Sequence, residues 1–222
     1  MSTSLQILTD IARLLNSRAD IEAALDEVLR LVTQLLGLRT AWLFLAEPPG
    51  RRLSLASAYQ LPPALQANGR EPLRWRWCRC FELFYRGDLR EAVNVLECSR
   101  LEQAEGQRCG LVYHASVPLR SSAGVLGVLN VAAEGSTLFD GGALNLLTAV
   151  GEHLGTALER SRLFAHERSR AAAYEAVDRV SRALAGPEPD AGDASLEAIG
   201  RRFAAACLEA FGLDAVSVAA GD

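Results

Sequence analysis

Ala115-Ser-Val-Pro-Leu-Arg-Ser-Ser-Ala-Gly-Val-Leu-Gly-Val-Leu-Asn-Val131 decides the fold. Two apolar runs, 115–119 and 125–131, flank a turn of small and polar residues from Ser121 to Gly124, so the stretch reads as a β-hairpin. Pro118 lacks an N–H for a ladder and belongs at an edge or a strand end. Downstream, from about Asp140 to Leu184, the pattern is helical, free of proline and broken only by isolated glycines. That run is far longer than an ordinary globular helix of roughly three turns.

Upstream, Thr40-Ala-Trp-Leu-Phe-Leu-Ala46 and Leu53-Ser-Leu-Ala-Ser-Ala-Tyr59 flank the turn Pro48-Pro49-Gly50 and predict a second hairpin. Before it, the apolar spacing from Leu5 to Leu38 predicts two helices. Asn16 and Ser17 break the first, Asp20 caps the second, and Gly37 ends it. Residues 60–111 read as irregular, with Arg, Trp and Cys concentrated between Arg70 and Cys80. After a Gly/Pro/Asp linker at 186–193, an apolar helix from Leu196 to Phe211 leads into 212–218. This tail aligns with the opening of the chain: Ala210-Phe-Gly-Leu-Asp matches Leu35-Leu-Gly-Leu-Arg, and Val180-Ser-Arg-Ala-Leu matches Ile11-Ala-Arg-Leu-Leu. The expected domains are therefore residues 1–168, a helical extension and linker at 169–193, and the truncated start of a second similar domain at 194–222. On this reading the chain is a fragment whose second domain has no complete core.

Half of the 222 residues are hydrophobic and the formal net charge is -4, which suits a globular core and gives no attraction to nucleic acid or anionic lipid. No apolar window approaches the length of a membrane span and no secretion signal opens the chain, so the expectation is a cytoplasmic protein without membrane or nucleic-acid partners. All 23 basic residues are arginine. Without lysine there is no Schiff-base chemistry and no P-loop.

In a reducing compartment clustered cysteines point to metal or redox chemistry rather than to a disulfide framework. Cys78, Cys80, Cys98 and Cys109 follow the spacing C-x-C-x17-C-x10-C. If 77–80 is extended, Cys78 and Cys80 point to one side and the loops carry Cys98 and Cys109 to them. Four thiolates suit an iron–sulfur cluster or a tetrahedral zinc, and a thiol–disulfide switch remains open. Arg74, Arg76, Arg79, Arg100 and Arg108 lie nearby, and positive charge favours thiolate. Trp75, Trp77, Phe81, Leu83, Phe84 and Tyr85 are expected to wall the site from water. His114 could substitute as a ligand or simply bond the backbone at a strand end, and His153 and His166 read as helix residues. Cys207, on an apolar helix face, reads as a packed thiol.

Leu126-Gly-Val-Leu-Asn130, Phe139-Asp140, Leu144, Leu147 and Ala157-Leu-Glu-Arg-Ser-Arg-Leu-Phe164 resemble the C-terminal half of a GAF domain, and residues 4–47 resemble its opening. The resemblance implies an α+β fold: an antiparallel sheet with flanking helices, a ligand-holding loop region and a long C-terminal signalling helix. Trp77-Cys-Arg-Cys80, Ala92-Val-Asn-Val-Leu-Glu-Cys-Ser-Arg-Leu101, Cys109 and Tyr113-His-Ala-Ser-Val-Pro-Leu119 resemble redox-responsive GAF sensor histidine kinases of the AirS type. This implies a 2Fe-2S cluster on Cys78, Cys80, Cys98 and Cys109, and a sensory rather than enzymatic role, the chain having no kinase catalytic domain. It also implies, as partners, a downstream kinase domain and its response regulator.

The long helix carries a further expectation. Leu147, Val150, Leu154, Ala157, Ser161 and Phe164 fall at alternating three- and four-residue steps, and Ala173, Val177, Val180 and Leu184 resume that spacing. The first half can cover its own sheet, whereas the second predicts a homodimer seam.

Overall fold

The structure, a computed structural model, describes residues 4–17, 20–47, 52–74, 77–96, 98–133, 139–185, 195–212 and 214–218. The turn expected at 48–50 and the linker at 186–193 lie outside the described residues, as do Trp75 and Arg76 and the side chain of Leu184. Two compact units divide the chain, Met1–Leu163 and Phe164–Asp222.

The first unit opens with α1 (Ser4–Asn16), which buries Ile7, Ile11 and Leu15 at four-residue steps, one stripe of a helix. Asp20 accepts a hydrogen bond from the Ala23 N–H at 3.0 Å, capping the turn that runs into α2 (Leu25–Leu35). Gly37, at φ +62, ends α2 in the left-handed conformation that glycine adopts without penalty, and the Leu38 N–H closes back onto the Thr33 carbonyl at 2.8 Å.

Both expected hairpins form: β1 (Thr40–Glu47) with β2 (Arg52–Tyr59), and β4 (His114–Ser121) with β5 (Gly124–Ala132). The stretch between them is more ordered than its sequence suggests. It holds α3 (Pro63–Arg74), broken by positive φ at Asn68, Gly69 and Arg70, then α4 (Arg79–Arg86), a short β3 (Val93–Val95) and α5 (Ser99–Glu102). The antiparallel sheet runs β2-β1-β5-β4-β3. Pairing between β3 and β4 covers Val93–Ser116 to Val95–His114 only, so Pro118 stands where β4 has no neighbour on that side.

β1 is buried on both faces, which makes the sheet a middle layer. Ala41, Leu43, Leu45, Ala115, Val117, Leu119, Leu129 and Val131 pack on one side against α1, α2 and the long α6 (Gly141–Ala185). Trp42, Phe44, Ala46, Val128 and Ala132 face the other side, where residues 61–111 cover them. Within the first unit α6 packs through Leu147, Val150, Leu154, Ala157 and Leu158. Asp140 caps it by accepting from the Ala143 N–H at 2.7 Å, and Arg160 reaches the end of α1, donating to Asn16 Oδ1 and the Leu15 carbonyl.

In the second unit α6 continues and α7 (Leu196–Phe211) is capped by Ser195. Residues 214–218 form no strand. Cys207 is buried, as expected of a packed thiol. Val180, expected in a dimer seam, is instead covered inside its own unit together with Ala176, whereas Ala173 and Val177 are exposed. An α7 beside α6 was not part of the seam reading, and it takes up part of that apolar face.

Candidate functional site

Alternation along the strands fixes the floor of the loop-side core. Because Ala115, Val117 and Leu119 face the helices, His114 and Ser116 face the loops. Trp42 pairs with Asn130, and Asn130 with Ser116, so the three form a row across β1, β5 and β4. The Ser116 hydroxyl donates to Asn130 Oδ1 at 2.7 Å. That leaves Asn130 Nδ2 without a partner, together with Trp42 Nε1 and both nitrogens of His114. His114 and Trp42 lie with ring centroids 5.1 Å apart.

Above the floor sit three of the expected cysteines. Cys78 occupies the N-cap of α4, Cys80 lies in its first turn, and Cys98 occupies the N-cap of α5. All three are buried. The extended geometry expected for 77–80 is therefore replaced by a cap and a helical turn, which still set the Cys78 and Cys80 thiols against each other. The Ser99 hydroxyl donates to the Trp77 carbonyl at 2.7 Å and pins α5 to the start of α4.

Cys109 is not brought to them. It is exposed, at φ +52 beside Gly110 at φ +77, and its carbonyl accepts from Arg39 at 2.8 Å. It lines a separate cleft of about 260 Å³ with Arg39, Gln60 and Leu111. A tight left-handed turn, which spacing alone does not reveal, holds its thiol at the surface. Among the described residues no three or more of His, Cys, Asp and Glu form a metal-holding group.

Among the described arginines near the cysteines only Arg100 is buried. Arg79 pairs with Glu82 on the surface at 2.7 Å, Arg108 donates to the Glu102 carbonyl, and Arg74 is exposed. The Arg100 guanidinium lies over the rings of Phe81 and Phe44, 4.3 and 4.9 Å from their centroids. One of its terminal nitrogens donates to the carbonyls of Pro72 and Leu73 in the last turn of α3, while Nε and the other terminal nitrogen have no partner. A buried cation so sparsely bonded needs an anion nearby.

Cys78 supplies one. Its pKa falls to about 6, first because the Cys80 thiol hydrogen-bonds to it and also because Arg100 is close, against the opposing effect of burial. Cys80 moves well above the usual thiol range through that same bond and burial. Burial raises Cys98 to about 11. His114 falls to about 3 through burial and the Arg100 charge, so it is a neutral imidazole at physiological pH. Phe81 and Phe84 are buried walls of this core, as expected, whereas Trp77 and Tyr85 stack on each other at 5.6 Å in partial exposure. A cleft of about 620 Å³ lined by Trp77, Cys78, Arg79, Glu82, Asn94 and Ser99 leads from solvent to Cys78.

The site is also tied to α6. The Asn94 amide donates to the Phe139 carbonyl at 2.8 Å and accepts from its N–H at 3.1 Å, and Thr148 on α6 accepts from the Ala92 N–H at 2.9 Å. These bonds bracket β3, and Cys98 follows its last residue by three positions. His114, Arg100 and the Trp42–Asn130 row are the residues that the cysteine spacing does not single out. The strand alternation 115, 117, 119 is the signal that turns His114 inward.

The GAF domain family model matches residues 18–159. The sensor histidine kinase YhcY of Bacillus subtilis (strain 168) is 41% identical over 175 residues, which cover 77% of this chain and 46% of that protein. The chain thus spans about half the length of this curated relative. Among solved structures, the GAF domain from an Acinetobacter phosphoenolpyruvate-protein phosphotransferase superposes with a TM-score of 0.56 at 21% identity, covering 73% of this chain and 97% of that one. The free methionine-R-sulfoxide reductase from Neisseria meningitidis gives 0.51 at 18% identity, covering 72% of this chain and 90% of that one. At such identities the likeness shows fold alone. The matched model, with the five-stranded sheet between a helical face and a loop-built face, shows that the chain belongs to the GAF domain family.

Proposed function

We propose that the chain is the cytoplasmic sensory input of a two-component sensor histidine kinase, and that it reads redox state or oxygen through a 2Fe-2S cluster in the loop-side core. The observation that carries this reading is the burial of Cys78, Cys80 and Cys98 in one water-poor core that also holds a buried guanidinium. The likeness to YhcY supports the kinase context. Buried thiols in a hydrophobic shell are the donor type an iron–sulfur group takes, whereas Cys109, one of the four ligands implied by the resemblance, stays outside and no three of His, Cys, Asp and Glu among the described residues are gathered into a metal-holding group. Such a cluster supplies a one-electron change whose potential follows its ligands, charge and solvent exposure.

The chain's own residues would do the rest. Arg100 offsets thiolate charge, Phe81 and Phe84 exclude water, and the bonds around β3 pass a change at Cys98 to α6. Residues 1–168 act as the sensory domain, 169–193 as helical extension and linker, and 194–222 as the start of a second GAF-like domain. A second copy pairs along α6, and the kinase domain and response regulator lie downstream. Zinc on the same thiols, or a thiol–disulfide switch favoured by the Cys78–Cys80 hydrogen bond, is the alternative chemistry.

The test is the visible spectrum of protein purified without oxygen, with iron and acid-labile sulfide assays. Visible thiolate-to-iron absorption is expected, bleached by Cys98→Ser and retained in Cys207→Ser. Colourless protein with stoichiometric zinc would remove the iron reading, and equal effects of the two substitutions would remove the ligand assignment.

A further inference from the structure

We infer that the cleft lined by α4, β3 and α5 takes a small organic carboxylate, whose two oxygens accept from the free edge of the Arg100 guanidinium. The inference goes beyond the cluster reading and does not depend on it.

Arg100 gives the first reason. It is 1% exposed, and its Nη1 serves the Pro72 and Leu73 carbonyls. Nε and Nη2 have no partner. These two nitrogens share one edge of the planar group, and their parallel N–H bonds form the fork that matches both oxygens of a carboxylate. Cys78 offsets the charge but offers a single acceptor atom, which cannot fill a fork. The guanidinium is also held in place, by two backbone carbonyls and by the rings of Phe44 and Phe81, so a ligand meets it already oriented.

The surrounding layer has the same character. Among the described residues, every buried side-chain nitrogen or oxygen without a partner is a nitrogen, and all belong to Trp42, Arg100, His114 and Asn130 on the loop side of the sheet. Trp42 Nε1 and Asn130 Nδ2 can only donate. No acidic side chain is buried among the described residues. The layer is short of acceptors, which a carboxylate supplies and a cationic ligand does not.

The cleft accommodates the rest of the ligand. Its volume of about 620 Å³ suits a small molecule, and Trp77, Leu83, Val95 and Leu96 give it an apolar wall. Its inner side is made by Cys78, which feels the Arg100 charge, and by Ser99, the residue before Arg100. Of the acids that line it, Glu82 is paired with Arg79 and Arg86 at 2.7 and 3.3 Å, and Glu102 is exposed to solvent. Asn94 lines it too, and its side chain holds Phe139 just ahead of α6. An occupant therefore lies beside the bonds that tie the loop side to the long helix.

The experiment uses the full chain as purified, titrated separately with sodium benzoate, benzamide and sodium nitrate, with iron measured on the same samples. In protein labelled with 15N-arginine, benzoate is expected to shift one Nε–H resonance downfield, the one missing from Arg100→Lys. That variant keeps a cation but loses the fork, and its affinity for benzoate should fall about ten- to a hundredfold. Benzamide, uncharged and of the same shape, should bind more weakly by a similar factor. Leu96→Asp, at a position 54% exposed, should weaken benzoate binding by repulsion and leave the unfolding midpoint unchanged, which keeps the test decisive if the Arg100 variant folds poorly. Benzoate binding that survives both substitutions, or no shift at any Nε–H, would overturn the inference. Nitrate moving the same resonance as strongly as benzoate would overturn the organic ligand.

Discussion

Gly155 stands where α6 crosses β4, and replacing it with alanine tests whether that close approach holds the long helix to the sheet. A Cβ built there lies 2.1 Å from the Arg120 carbonyl oxygen and 2.5 and 2.6 Å from its carbon and nitrogen. Ordinary contact begins at 3.4 Å, so the shortest of these is about 1.3 Å too close. All three are backbone atoms of a paired strand and cannot rotate aside. The helix must retreat instead, loosening Val150, Leu154 and Leu158, which are all fully buried. Overpacking costs about 1–3 kcal/mol, and a displacement of this size belongs at the upper end. The better helix propensity of alanine returns about 1 kcal/mol. The expected net loss is therefore about 2 kcal/mol. Urea unfolding followed by tryptophan fluorescence reads it directly, because Trp42, Trp75 and Trp77 all belong to the first unit. Gly141→Ala, at the start of α6 in open space, is the control and should be neutral. A Gly155→Ala midpoint equal to or above wild type would refute the reasoning.

Asn94→Ala removes both bonds to Phe139 and should cost about 1–3 kcal/mol. Hydrogen exchange should quicken at Phe139 and the first turn of α6, and unchanged protection there would show that β3 does not hold the helix. Phe164 and Val177 are 60% and 54% exposed on α6, so changing both to Asp should convert a micromolar dimer to monomer in sedimentation. An unaltered mass would rule out the helix seam.

The two hairpins and the long helix were legible because their periodicity is sustained and their turns carry Gly, Ser or Pro. The loop-side helices were not. α3 contains Pro72 and is interrupted by Asn68, Gly69 and Arg70, while α5 spans four residues, too few to show a period. β3, at three residues, fails for the same reason. Cysteine content pointed to the loop side, where three of the four thiols are buried, but whether a thiol turns inward depends on backbone conformation, and the left-handed Cys109 sends its thiol outward. The arginines looked alike in sequence. Only packing against Phe44 and Phe81 distinguishes Arg100 from its solvated neighbours. His114 was named as a possible substitute ligand, and extending the 115, 117, 119 alternation back by one residue shows the face it occupies.

The sheet is buried on both faces, yet the hydrogen bonds that join the sensor side to α6 run around its β3 edge rather than through it. The two layers can therefore diverge separately. A change in the layer built by residues 61–111 leaves the helical layer in place, provided the narrow contact at Ala92–Val95 keeps its grip on the helix. Such a plan behaves like a fixed handle fitted with a separate head, its narrowest part the grip at Ala92–Val95.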